Sequence, residues 1–112
     1  MRWPLSRVSP VLLAAVCMTA QAGCGGGGRE SGKSGEALFM TYCSGCHPGG
    51  GNLKYPQKSL DRVTLAANGI TTPEQIVRYM RHPDAGMKAF DRTTISDADA
   101  RKMAEYVLAT FR

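Results

Sequence analysis

Cys43-Ser44-Gly45-Cys46-His47 sets two thiols three residues apart, with an imidazole directly after the second. On one helical turn both sulfurs share a face, at a spacing that lets each form a thioether with one vinyl group of a haem. His47 then stands where it can ligate the iron. Its second ring nitrogen is left to donate to a backbone carbonyl, expected in the loop from Pro48 to Pro56, which fixes the ring and tunes its basicity. The motif predicts one covalently attached haem c held by Cys43, Cys46 and His47. Rival uses of these residues lack their setting. A redox dithiol wants a βαβ unit, and no strand–helix alternation surrounds residue 43. Zinc wants a second ligand pair, and the only other histidine is His82.

The sixth iron ligand decides the chemistry, and the candidates are Met80, His82, Met87 and Met103. Met80 and Met103 fall on apolar helix faces, where core packing is expected. Met40, three residues before Cys43, is expected on the proximal side. Met87 follows Pro83-Asp84-Ala85-Gly86, an irregular stretch able to cross the distal face and present a thioether. A histidine–methionine pair fills both axial positions and suits the centre to single-electron transfer; methionine raises the potential, whereas His82 would lower it. The alternative is a labile or open sixth site, which would make the protein a haem peroxidase or small-ligand sensor. His82, close to neutrality in its ordinary titration, also invites a pH-dependent potential.

The elements that must position these groups read as helices. Ser34 is a cap for a first helix through Ala37, Leu38 and Phe39 that leads straight into the haem motif. Ser59 is a candidate cap for a second, through Leu60, Val63 and Ala67, stopped by Asn68-Gly69. Thr72-Pro73-Glu74-Gln75 combines cap, first-turn proline and capping-box glutamine, and Ile76, Val77 and Met80 form that helix's apolar face until Pro83. Ser96 begins the last helix, with Asp97 and Asp99 at its positive end and an inward stripe of Met103, Tyr106, Val107 and Thr110. The fold class is therefore all-α. A domain of this size holds few large apolar side chains, so the haem itself is expected to staple it.

The chain of 112 residues has room for one domain. Residues 1–23 read as an export signal: Arg2 and Arg7 precede the short apolar run Val8 to Ala20, and Ala20-Gln21-Ala22 is a small-x-small cleavage site. Cleavage after Ala22 would release a soluble periplasmic protein. Cleavage before Cys24, whose preceding Ala22-Gly23 resembles a lipobox with Gln21 in place of leucine, would make a lipoprotein. Cysteine arithmetic favours the second, because Cys17 is discarded with the signal, Cys43 and Cys46 take the haem, and Cys24 is left over in an oxidising compartment. A lipid anchor on Cys24, followed by a flexible glycine-rich linker over residues 24–34, would tether a haem domain spanning 35–112 to a membrane, with Gly25 fitting outer-membrane sorting.

Two partner classes drop out. The net charge of +5 falls to +2, from 10 basic and 8 acidic residues, once signal and linker are set aside, and the basic residues neither cluster on one helix nor alternate with aromatics. That excludes nucleic acid. Gly27-Gly28-Arg29-Glu30-Ser31-Gly32-Lys33-Ser34 matches the phosphate-loop string, but nothing upstream can form the strand such a loop must follow, so no nucleotide is expected.

Gly35-Glu36-Ala37-Leu38-Phe39, the haem motif, Gly50-Gly51-Asn52, Lys58-Ser59-Leu60, Asn68-Gly69-Ile70, Met87-Lys88-Ala89-Phe90 and Tyr106-Val107-Leu108 together resemble class I cytochrome c of the cytochrome c6 type, over nearly all of residues 35–112. The resemblance implies an all-α shell of about four helices around one haem, the first and last crossing near Phe39 and Tyr106. It also assigns His47 and Met87 as axial ligands. Lys88 replaces the family's usual proline after the distal methionine, which predicts a looser ligand loop. The lipoprotein-like start is similar to that of tethered monohaem cytochromes at the bacterial outer membrane, so the implied partners are other redox proteins, envelope cytochromes above all, and the location is the cell envelope, facing the periplasm or the cell surface. Lys54, Lys58, Arg78, Arg81, Lys88 and Arg92 are the candidates for a basic docking rim.

Overall fold

Capping side chains set the helix boundaries in the computed structural model, which describes residues 28–112. The expected export signal, Cys17 and Cys24 lie outside the described residues. Ser34 caps α1 (Gly35–Tyr42), its hydroxyl accepting from the Ala37 amide at 3.1 Å. The second helix, α2 (Arg62–Ala67), departs from expectation because Asp61 caps it, accepting from the Thr64 amide at 2.9 Å, while Ser59 donates its hydroxyl to the same carboxylate. Val63 is 78% exposed, and Leu65 is the buried residue of this helix. These two residues lie about 200° apart around a helix, so one buried face cannot hold both.

The third helix, α3 (Pro73–Arg81), carries the complete capping box, with Thr72 and Gln75 bonding each other's backbone. It stops with His82 out of helical conformation, as a residue before proline prefers. Ser96 caps α4 (Asp97–Thr110). Met103 and Val107 are buried on its inner face, but Thr110 is exposed, and Ala100 and Ala104 complete the face in its place. The chain leaves the helix at that end, and Phe111 folds back to pack on Phe39 at 5.1 Å and Tyr106 at 6.0 Å between ring centroids.

Two helices, α1 and α3, pack on α4, where Ala100 and Ala104 are fully buried. At the α1 crossing Phe39 meets Tyr106 with centroids 5.6 Å apart. Gly35 is required there, since a Cβ at this position would strike the Lys102 carbonyl. Leu38, Phe39, Leu65, Met80, Ile95, Met103 and Val107 form the core. Burial of Met80 and Met103 agrees with packing roles, whereas Met40 points outward and is 60% exposed. Among the described residues there is no strand, and no helix is long and apolar enough to cross a membrane.

Glycine content predicts a free linker before α1, yet its described part, residues 28–34, is tied to the domain. The Gly28 amide donates to the Arg92 carbonyl at 3.1 Å, the Ser31 amide to Asp99 Oδ2 at 2.9 Å, and Glu30 pairs with Lys102. The buried Asp99 carboxylate and the Lys102 ammonium, both on α4, supply partners that composition does not reveal.

Two aspartates make the acid limit of this fold calculable. Asp61 is held down at about 2, first by the Ser59 hydroxyl and then by the Thr64 amide and hydroxyl. Asp91, in the turn before α4, is held at about 2 by the Thr93 hydroxyl and the Thr94 amide. Because each folded value lies below the ordinary 3.8, their stabilisation is complete above that pH and is lost as pH falls toward 2. Denaturation midpoints should therefore hold steady down to about pH 4 and fall below it, with a shallower fall in Asp61→Asn.

Candidate haem site

At the end of α1 the backbone closes a turn that gathers the motif. The Cys46 and His47 amides both donate to the Cys43 carbonyl, at 3.1 and 2.8 Å. Cys43 is half-buried against the core, with its Sγ 3.3 Å from Met103 Sδ, while Cys46 is exposed. Burial, and secondarily Cys46, pushes the Cys43 thiol up to about 11. That is opposite to the lowered value a redox dithiol or a thiolate metal ligand needs.

The His47 ring is buried, and its Nδ1 lies 2.7 Å from the Gly51 carbonyl oxygen. This carbonyl is in the loop where one was expected. A carbonyl only accepts, so this contact uses the Nδ1 proton as donor, and in the neutral ring that tautomer leaves the lone pair on Nε2. The loop that supplies Gly51 is itself held by a side chain not singled out as functional. Asn52 accepts through Oδ1 from the Lys54 and Tyr55 amides, at 3.0 and 2.8 Å, and donates through Nδ2 to the Lys58 carbonyl at 3.2 Å. Asparagine after a glycine run is the available sequence signal for such a turn.

Cys43, Cys46, His47 and Met87 line one crevice of about 720 Å³, walled by apolar side chains including Leu60, Ile70 and Val107. Met87 is half-buried in a loop leaving α3. At its upstream side Asp84 accepts from the Tyr79 hydroxyl at 3.2 Å and pairs with Lys58 at 3.6 Å. Gly86 takes φ +100°, and a Cβ there would fall 2.6 Å from the Tyr55 ring. At the downstream side the Phe90 amide donates to the Met80 carbonyl at 2.9 Å. Lys88 leans over the Phe90 ring, its Nζ 5.8 Å from the centroid. His82 borders the crevice but is solvent-exposed at the end of α3.

The donor set fits a haem: two thiols on one turn, an imidazole whose Nδ1 is engaged by a carbonyl, and a thioether share one apolar-walled space. Among the described residues no group of three or more His, Cys, Asp or Glu side chains is arranged to hold a metal ion without such a macrocycle. The basic rim is smaller than the sequence suggests, since the Arg81 side chain is only 6% exposed and Lys58 and Arg92 are paired with Asp84 and Asp97.

The family model described as cytochrome c oxidase, cbb3-type, subunit III matches residues 30–107. Cytochrome c6 of Cyanidioschyzon merolae is 39% identical over 75 residues, which cover 67% of this chain and 70% of that protein. The structure of OmcF, outer membrane cytochrome F from Geobacter sulfurreducens, superposes with a TM-score of 0.69 at 48% identity, covering 70% of this chain and 100% of that one. The chain belongs to the cytochrome c6-like monohaem class I cytochromes. Cytochrome c6C from Synechococcus sp. PCC 7002 is a more distant structural relative, with a TM-score of 0.65 at 29% identity over 70% of this chain and 95% of that one. This cytochrome thus carries one covalently attached haem c in an all-α fold and is a monohaem electron carrier.

Gly86 offers a test of how tightly the distal loop is built. Gly86→Ala adds a steric clash to an unfavourable backbone angle and should cost about 2 kcal/mol in denaturant titrations of the holoprotein. Gly69→Ala, at φ +75° with nothing within 4 Å of the new Cβ, should cost about half as much.

Proposed function

We propose that Cys43 and Cys46 hold the haem covalently, that His47 through Nε2 and Met87 through its sulfur ligate the iron, and that the protein passes single electrons between redox partners in the cell envelope. When bound, the haem supplies a one-electron ferric–ferrous couple. The observation that carries the reading is the 2.7 Å contact between His47 Nδ1 and the Gly51 oxygen. It commits one ring nitrogen and leaves the other for iron, in a crevice that Met87 also lines. The chain's residues then do two things. The proximal turn and the Asn52 loop hold the imidazole still, which keeps rearrangement on electron transfer small, and the apolar walls keep water from the iron.

The proposed location rests on chemistry at the other end of the chain. A diacylglyceryl group on Cys24 would anchor the protein, with redox proteins of the envelope as partners; Ala22-Gly23-Cys24-Gly25 and the likeness to an outer membrane cytochrome support this. Lys54, Arg78 and Lys88 remain for docking an acidic partner.

In the oxidised absorption spectrum, the weak long-wavelength band of methionine sulfur on ferric iron should be present in the wild type and absent in Met87→Ala, with a lower reduction potential in the variant. A wild type without the band would point to His82 ligation or an open site. Intact mass of the exported protein should show residue 24 as the first residue, modified by lipid; an unmodified thiol on a chain beginning at Gly23 would remove the anchor.

A further inference from the structure

The loop that presents Met87 has little holding it from within. Among the described residues, the backbone of residues 85–89 makes one hydrogen bond, from the Met87 amide to the Asp84 carbonyl, and it is long at 3.5 Å. The loop is fastened at its downstream root, by Arg81. Nη1 donates to the carbonyls of Phe90 and Asp91, at 3.0 and 2.9 Å. Nη2 donates to the Ile95 carbonyl at 2.9 Å and to Asp97 Oδ1 at 3.0 Å. Four acceptors thus converge on one guanidinium, whose planar fork presents donors in directions an ammonium cannot match.

This arrangement ties three elements together. Arg81 is the last residue of α3, its carbonyl acceptors belong to the segment that follows the Met87 loop, and Asp97 begins α4. The neighbouring Met80 carbonyl accepts from the Phe90 amide, so the bond network is doubled at the same point. Arg81 Nε is buried without a partner, a desolvation cost that the four Nη bonds must offset. A side chain fixed this way is not a docking charge. It fastens the loop's root to the end of α3.

We propose that Arg81 is a positioning residue that keeps the Met87 loop closed over the crevice and so protects the sixth iron position from outside ligands. This inference rests on Met87 being that ligand. An outside ligand binds only the open loop, so its apparent affinity scales with the fraction of molecules that are open. Removing the guanidinium raises that fraction.

Imidazole titration of the ferric holoprotein reads this directly. Arg81→Gln should bind imidazole about tenfold more tightly than wild type, equivalent to about 1.4 kcal/mol of lost closure. Arg81→Lys, which keeps the charge but not the fork, should fall between. Hydrogen exchange at the Phe90 amide should quicken in the same order, whereas Arg101→Gln, which breaks exposed pairs with Glu74 and Glu105, should leave imidazole affinity unchanged. If Arg81→Gln does not accumulate as holoprotein, Arg81→Lys and Asp97→Asn carry the test. Wild-type affinity in the Arg81 variants, beside tight binding in Met87→Ala, would overturn the proposal and leave Met87 in place. An equal gain in Arg101→Gln would also overturn it, by showing that general loosening suffices. A wild type that binds imidazole as tightly as Met87→Ala and lacks the long-wavelength band would remove Met87 as ligand, and the clamp with it.

Discussion

The crossing of α1 on α4 is the constraint from which the site is built. Phe39, Tyr106 and Phe111 pack in a triangle of mutually touching rings, and Gly35 lets the two backbones meet. Since α1 runs directly into the haem motif, fixing α1 fixes the two cysteines and His47. The same helix α4 also receives α3, whose C-terminal end carries the root of the Met87 loop. One helix therefore sets the separation between the two walls of the crevice. A change at the crossing moves the proximal donors relative to the distal loop without touching either.

Contiguous signals were legible in the sequence, and tertiary ones were not. The haem motif, the Ser34 and Ser96 caps and the capping box of α3 each lie within a few residues, so their chemistry could be read locally. Even the acceptor of the His47 ring fell in the expected loop, because a backbone carbonyl close in sequence is what that geometry reaches most easily. The second helix misled for an equally physical reason. Ser59 and Asp61 are both good caps, and only the side-chain network among Ser59, Asp61 and Thr64 selects Asp61. Which of Val63 and Leu65 turns inward is likewise settled only by packing. The roles of Ala100 and Ala104 depend on two helices closing on α4, which periodicity alone does not report.

Charge was the least legible property. Six basic residues could be proposed as a docking rim from their types, but side-chain burial and pairing sort them differently. Arg81 is enclosed by the backbone of residues 90–95, Arg92 is turned to Asp97, and Lys58 shares Asp84 with the Tyr79 hydroxyl. An exposed pair of this kind contributes little to stability. It matters here because it removes positive potential from the crevice rim, leaving a narrower patch around Lys54, Arg78 and Lys88. The glycine-rich segment shows the same limit. Its composition predicts free chain, and Asp99 and Lys102, some seventy residues later, hold its end.

The two walls of the crevice are built to different standards, and this difference bears on what a haem domain can become. On the proximal side, the amides of Cys46, His47, Gly50, Gly51 and Leu53 all bond within the turn, and Asn52 locks the loop beyond it. That wall is bonded largely within itself. On the distal side, the segment around Met87 is held mainly from outside, by Gly86 against Tyr55 and by the fastened root at Phe90. The proximal turn thus carries its own bonds, while under the proposed Met87 ligation access to the sixth position would depend on a few contacts remote from the iron. On that ligation, a chain with the same attachment motif but a weaker distal wall would admit ligands, and the line between an electron carrier and a ligand-binding haem protein would run through the loop from Pro83 to Phe90 and not through the haem motif.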